Sequence, residues 1–144
     1  MPGKRLPASL RKLVIERAGG RCEYCQSWMR NAIHPFNIDH IISEKEGGDD
    51  DPENLALSCG GDNNNKGDKI AALDPVTKEI VPLYHPRKDK WTDLFAWSED
   101  FLEMIGLTPS GRATIKLLKL NREGLRNMRR LTVASGEHPP LIND

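Results

Sequence analysis

No apolar run in this chain is more than a few residues long, whereas a membrane-spanning helix takes about 20. No apolar stretch follows the basic residues of "MPGKRLPASLRKLV", so no signal peptide is expected and a cytoplasmic location is. Neither charge is in excess: 21 basic and 21 acidic residues cancel. That excludes a surface that coats nucleic acid over its whole area, although a local patch fits within it. Cysteine is scarce and odd in number, three in all, which argues against a secreted disulfide scaffold and for metal binding. A redox Cys-x-x-Cys needs a strand before it, and a helical segment precedes this one. There is no internal repeat and no low-complexity segment. One domain over residues 1–144 is expected, with a modest core.

The elements follow from local signals. Ser9 before "LRKLVIERAGG" reads as the cap of a first helix that ends at Gly19-Gly20, leading into a tight "CEYC" knuckle. "FNIDHIIS" (36–43) and "LALSC" (55–59) read as strands on either side of a loop rich in Gly, Asp and Pro. A helix is predicted over 62–73, weakened by Gly67. Residues 74–90 read as turns, and 91–107 as a hairpin turning near Ser98–Asp100. Thr108-Pro109 starts a helix to about Leu120, cap followed by Pro at the first position. Asn121 is the expected cap of a last helix over 122–134. Ala113, Leu117 and Leu120 share one face of the first of these helices, with Leu118 beside it. Trp91, Phe95, Trp97 and Phe101 read as a small satellite core.

Three features fall within 45 residues. Cys22-x-x-Cys25 comes first, Asp39-His40 lies in a strand, and Asn54-Leu55 precedes Cys59-x-x-Asp62-Asn63-x-x-Lys66. Two adjacent polar residues in an apolar strand are unusual, because strand side chains alternate between faces. In this order the set resembles the HNH endonucleases. Their core carries a Cys-x-x-Cys, an Asp-His, an Asn-Leu and a Cys-x-x-Cys-[His/Asn]-x-x-Lys. Cys22, Cys25, Asp39, His40, Asn54, Cys59, Asn63 and Lys66 match; Asp62 departs. The match is strong over about residues 9–70. The tail "GLTPSGRATIKLLKLNREGLRNMRRL" resembles an extension in one bacterial branch of the family.

The resemblance implies an α+β fold: a ββα-metal core (9–73) with an N-terminal helix, and a C-terminal extension (74–144) of hairpin plus helices. It implies metal-dependent hydrolysis of DNA phosphodiesters, with RNA not excluded, leaving a 5′-phosphate and a 3′-hydroxyl. His40 would be the general base, since imidazole titrates near neutral pH. Asp39 and Asn63 would hold the catalytic cation. An all-oxygen pair suits Mg²⁺ or Mn²⁺. Asn54 would pin the Gly-Asp loop to the site, and Lys66 would contact a flanking phosphate. In an ideal strand Asp39 and His40 point to opposite faces, so the strand is expected to end, twist or bulge there.

Cys22, Cys25, Cys59 and Asp62 have the spacing of two ligand pairs converging across a hairpin. A structural Zn²⁺ held by three Cys and Asp62, one held by the three Cys and another ligand, and no zinc at all remain open. Asp62 and Asn63 would also serve as helix caps. His34, His85 and His138 read as loop histidines, and the acidic run from Glu44 to Glu53 as a solvated loop. Residues 109–135 hold Arg112, Lys116, Lys119, Arg122, Arg126, Arg129 and Arg130 against Glu123 alone. Arg112, Lys116, Lys119 and Arg126 are candidates for tracking phosphates; a merely solvated face is the other reading. Two rival functions remain: a zinc-finger nucleic-acid-binding module without activity, and an enzyme with a cysteine nucleophile.

Overall fold

The computed structural model describes residues 6–142; the Lys4-Arg5 pair read above lies outside them. Helix α1 spans Ala8–Ala18. Ser9 does not cap it: Pro7 holds the cap position and no side chain bonds there. Its end is as expected. Gly19 and Gly20 take positive φ, and Gly20 N–H returns to the Ile15 carbonyl, a glycine-terminated helix end. Val14 is buried against the strand pair that follows. The Arg17 guanidinium donates to the carbonyls of Pro52 and Leu55 at 2.9 and 2.6 Å, fixing α1 to the start of β2 (Leu55–Ser58).

Strand β1 (Asn37–His40) pairs antiparallel with β2, Asp39 opposite Ala56 and His40 opposite Leu55. All of β2 is buried, so it reads as a continuous apolar run rather than an alternating one. The knuckle is clipped to its outer edge: Glu23 N–H donates to the Leu57 carbonyl, and Leu57 N–H to the Glu23 carboxylate. Helix α2 follows immediately at Gly60–Lys66. It is shorter than predicted. Gly67, with φ 55° and ψ −132°, takes a conformation that only glycine adopts without strain, and the helix stops there. The residues expected to continue it form β3 (Ala71–Leu73), which pairs with β4 (Ile80–Pro82). Asp74 closes that hairpin by accepting from the Val76 and Thr77 N–H groups and the Thr77 hydroxyl.

The C-terminal half begins with α3 (Trp91–Leu94), then the hairpin β5 (Phe95–Trp97) and β6 (Met104–Gly106), turning over 98–103. Helix α4 (Pro109–Leu118) starts as read: Thr108 Oγ1 accepts the Gly111 N–H at 3.0 Å. Helix α5 (Glu123–Ala134) does not use Asn121 as its cap. That amide instead exchanges hydrogen bonds with Met104 N–H and C=O and accepts from Arg129. The aromatics do not form a satellite. Trp91 and Phe95 join Tyr24, Tyr84 and Val14 in one buried cluster that also holds Cys22, Leu57, Leu118 and Leu125. Trp91 Nε1 donates to the Tyr24 carbonyl, so the extension packs directly on the knuckle. Phe101 stays partly exposed. His138 is buried edge-on against Trp97 and bonded to the Phe101 carbonyl, not free in a loop. Among the described residues no helix is long and apolar enough to cross a membrane. The whole is a mixed α and β fold with small antiparallel sheets.

Candidate metal centre and histidine rim

Cys22 and Cys25 stand in the knuckle, and Cys59 and Asp62 on the first turn of α2. The β1–β2 pair brings the two stretches together. Their four ligand atoms lie within 4.8 Å of one another, and all four residues are buried. Cys25 Sγ is 3.8 Å from Cys59 Sγ, and Cys22 Sγ is 3.1 Å from Asp62 Oδ2. Tetrahedral zinc with Zn–S of about 2.3 Å needs sulfurs about 3.8 Å apart, so the donors fit such an ion. Asp62 does not cap α2 with its carboxylate. Cys59 Sγ takes that position, accepting the Asp62 N–H at 3.4 Å. One Asp62 oxygen, Oδ1, accepts from Arg122 at 2.8 Å, leaving Oδ2 for the cluster.

The charges are balanced unevenly. Burial pushes the Cys22 and Cys25 thiols up. Hydrogen bonds from Cys22 and Cys25, helped by the Asp62 N–H and Arg122, lower Cys59 to about 2 and hold it as thiolate. Burial, with the Cys59 thiolate second, raises Asp62 to about 6. A cation among these donors would displace the remaining protons.

The second group surrounds the end of β1. The register through Asp39 and His40 is regular, without a bulge; the strand simply ends at His40. The two side chains go to different partners. His40 Nε2 lies 2.7 Å from Asp50 Oδ1, in the run read as a solvated loop. Asn54 holds that loop in place: its Oδ1 accepts from Ile42 N–H at 2.8 Å, and its Nδ2 donates to the Ile42 and Asp49 carbonyls at 3.0 and 2.8 Å. Gly48 permits the fold-back, since a Cβ there would lie 1.7 Å from the Ile42 carbonyl oxygen.

Asp39 faces the interior instead. Its carboxylate accepts the Tyr24 hydroxyl at 2.6 Å and pairs with the Lys66 ammonium at 3.2 Å. Burial raises it, although Lys66 and Tyr24 pull the other way. Lys66 also donates to the His40 and Ile41 carbonyls, both at 3.1 Å. It is therefore no phosphate contact as placed: it is 2% exposed and its charge is spent on Asp39. The Asp39 carboxylate, expected to share a catalytic cation with Asn63, is here paired with Lys66 and Tyr24. Asn63 is half-buried on α2, and its amide makes no hydrogen bond among the described residues.

The basic candidates of the C-terminal half divide. Arg112 forks onto the fully buried Asp74 at 2.9 and 2.8 Å, a structural pair. Arg126 faces Glu103 at 3.6 Å. Arg129 is buried, donating to the Leu102 and Leu120 carbonyls. Lys116 and Lys119 are exposed, with no ion pair among the described residues. His34 is exposed, and His85 Nδ1 accepts from the Arg87 and Lys88 N–H groups within its own turn. Sequence reasoning missed Asp50 and Arg122. The Asp-rich run hid the first, and Arg122 was one cation among seven.

Compared with known families, residues 22–69 match the model of the HNH endonuclease family. The match covers a third of the chain and spans both groups, from the first knuckle cysteine to just past Lys66. The segment is thus similar to HNH endonuclease domains, a family of metal-dependent hydrolases of nucleic acid. No curated protein and no solved structure matches the chain.

Proposed function

We propose that the protein is a DNA endonuclease in which His40 is the general base and β1, β2 and α2 form the ββα-metal core. The observation that carries this reading, beside the family match over 22–69, is the setting of His40. A carboxylate offers only lone pairs, so the contact of Asp50 with Nε2 selects the tautomer with its proton on Nε2. Nδ1 is then the free lone pair, ready to take a proton from an attacking water. Asn54 keeps the loop, and with it Asp50, against the end of β1.

The cation that HNH nucleases require polarises the phosphate and stabilises the leaving oxygen when bound. Asn63 offers a free amide oxygen for it. Asp39 does not offer a free carboxylate, so no step is routed through the Asp39–Asn63 pair. The Cys22, Cys25, Cys59 and Asp62 centre is read as a structural zinc that holds the knuckle to α2. Lys116 and Lys119 remain the candidates for phosphate contact in the extension.

The test is incubation of supercoiled plasmid, single-stranded DNA and RNA with the purified chain in Mg²⁺ or Mn²⁺, with and without chelator. Nicked or linear DNA that disappears with chelator and with His40→Ala supports the reading. Cleavage of RNA alone corrects the substrate. Binding without cleavage of any substrate points to a nucleic-acid-binding module instead.

A further inference from the structure

Arg122 lies 53 positions beyond the last matched residue, yet it reaches the metal centre. Its NH1 donates to Asp62 Oδ1 at 2.8 Å, and its NH2 points at Cys59 Sγ at 3.7 Å. The same NH1 is shared with the carbonyls of Leu118 and Lys119, both at 3.2 Å, where α4 ends. Asn65 Nδ2 donates to the Leu118 carbonyl at 2.8 Å, a second tie between α2 and that helix end. The guanidinium lies directly over the start of α2. A Cβ on Gly61 would sit 2.4 Å from Arg122 NH2, so a side chain there would push the guanidinium aside.

We infer that Arg122 is the positioning residue of the metal centre: it takes one oxygen of Asp62 and presents the other to the ion, which makes the ligand set depend on the C-terminal helices. Two physical arguments support it. A free carboxylate rotates and offers either oxygen, or both, whereas one fixed by a guanidinium offers a single oxygen in a set direction. Three thiolates and one carboxylate around a dication also leave two net negative charges in a buried site. A guanidinium against that site offsets one of them; four thiolates would leave the same net charge, so only the orienting of the carboxylate is specific to Asp62. The Asp at position 62 is thus held by a cation from outside the matched segment. The inference rests on metal binding at this cluster and not on cleavage, so a failure of the nuclease reading leaves it standing.

The test uses the full chain and no DNA. Zinc per chain and zinc affinity, by chelator competition, are measured for wild type, Arg122→Met, Asp62→Cys and the double variant, with Co²⁺ charge-transfer bands reporting the thiolates. Arg122→Met should weaken binding by about 10–100-fold. The same change in the Asp62→Cys background should cost clearly less, because no carboxylate remains to be held and only the charge offset is lost. Asp62→Cys should also raise the Co²⁺–thiolate band by about a third, from three thiolates to four. Gly61→Ala guards against a variant that merely misfolds. Helix propensity favours the alanine, whereas displacement of Arg122 predicts weaker zinc binding in a folded chain. Wild type without metal, Arg122→Met binding as tightly as wild type, an equal loss in the Asp62→Cys background, or Gly61→Ala binding unchanged would each overturn the inference.

Discussion

Lys66→Met separates two incompatible roles for the last residue of the motif. The ammonium is 2% exposed and contacts the Asp39 carboxylate, 4% exposed, together with two backbone carbonyls. Removing one partner of a buried pair leaves an uncompensated charge and costs about 3–5 kcal/mol. A chain of 144 residues has an unfolding entropy of about 0.3 kcal/mol/K, so Tm should fall by about 10–17 °C. Adding Asp39→Asn should recover much of the loss, because the buried charge is then gone while a Tyr24 hydrogen bond remains possible. The pH dependence has a definite sign. Burial already raises Asp39, and without Lys66 it rises further. A raised carboxyl begins to penalise the fold above its unfolded pKa and does so in full above its folded pKa, so the gap between wild type and Lys66→Met should narrow as pH falls from 7 towards 4. Thermal melts at pH 7 and pH 4.5 check all three. A Lys66→Met chain melting within about 2 °C of wild type would refute the buried-pair account and return Lys66 to the phosphate.

Asp50→Asn should leave the fold intact and slow cleavage about 10–100-fold, the worth of about 1.5–3 kcal/mol for a hydrogen bond to a charged group; Asp50→Glu should recover part of it in the same single-turnover assay. Lys116→Ala and Lys119→Ala should each reduce the slope of log affinity against log salt by about 1, as read by fluorescence anisotropy on duplex DNA. Arg112→Met should lower the stability and not the DNA affinity. Asp74 is held below the usual carboxylate range by Arg112, so this contribution exists above a pH of about 4 and fades below it. Urea melts from pH 7 to pH 3 should show the two chains converging at the acid end.

Some helix ends were legible because the interaction is local, although Ser9 and Asn121, read as caps, cap neither α1 nor α5. Thr108-Pro109 starts α4 because the hydroxyl and the ring act on the next turn alone. Gly19-Gly20 ends α1 for the same reason. The spacing of the four ligands was also readable, since two short pairs have few ways to converge. Position 67 shows the limit: Gly67 was seen as a weakness in a helix, yet its backbone conformation ends the helix outright and frees Ala71–Leu73 to pair with a partner nine residues on. Charged groups were the least legible. Lys66, Arg112 and Arg129 look like solvent-facing cations in one dimension, and each is bonded to a partner 8 to 38 positions away. Asp50 and Arg122 were hidden in runs of like residues, because only the fold shows which member of a run meets His40 or Asp62.

The central claim is that His40, oriented by Asp50 and free at Nδ1, takes the proton from the attacking water. The most direct measurement is the single-turnover rate of plasmid nicking in Mn²⁺ by wild type and His40→Ala, with circular dichroism confirming equal folds. The account predicts a loss of about 10²–10⁴-fold, the usual worth of a general base. Equal rates from two equally folded chains would contradict it.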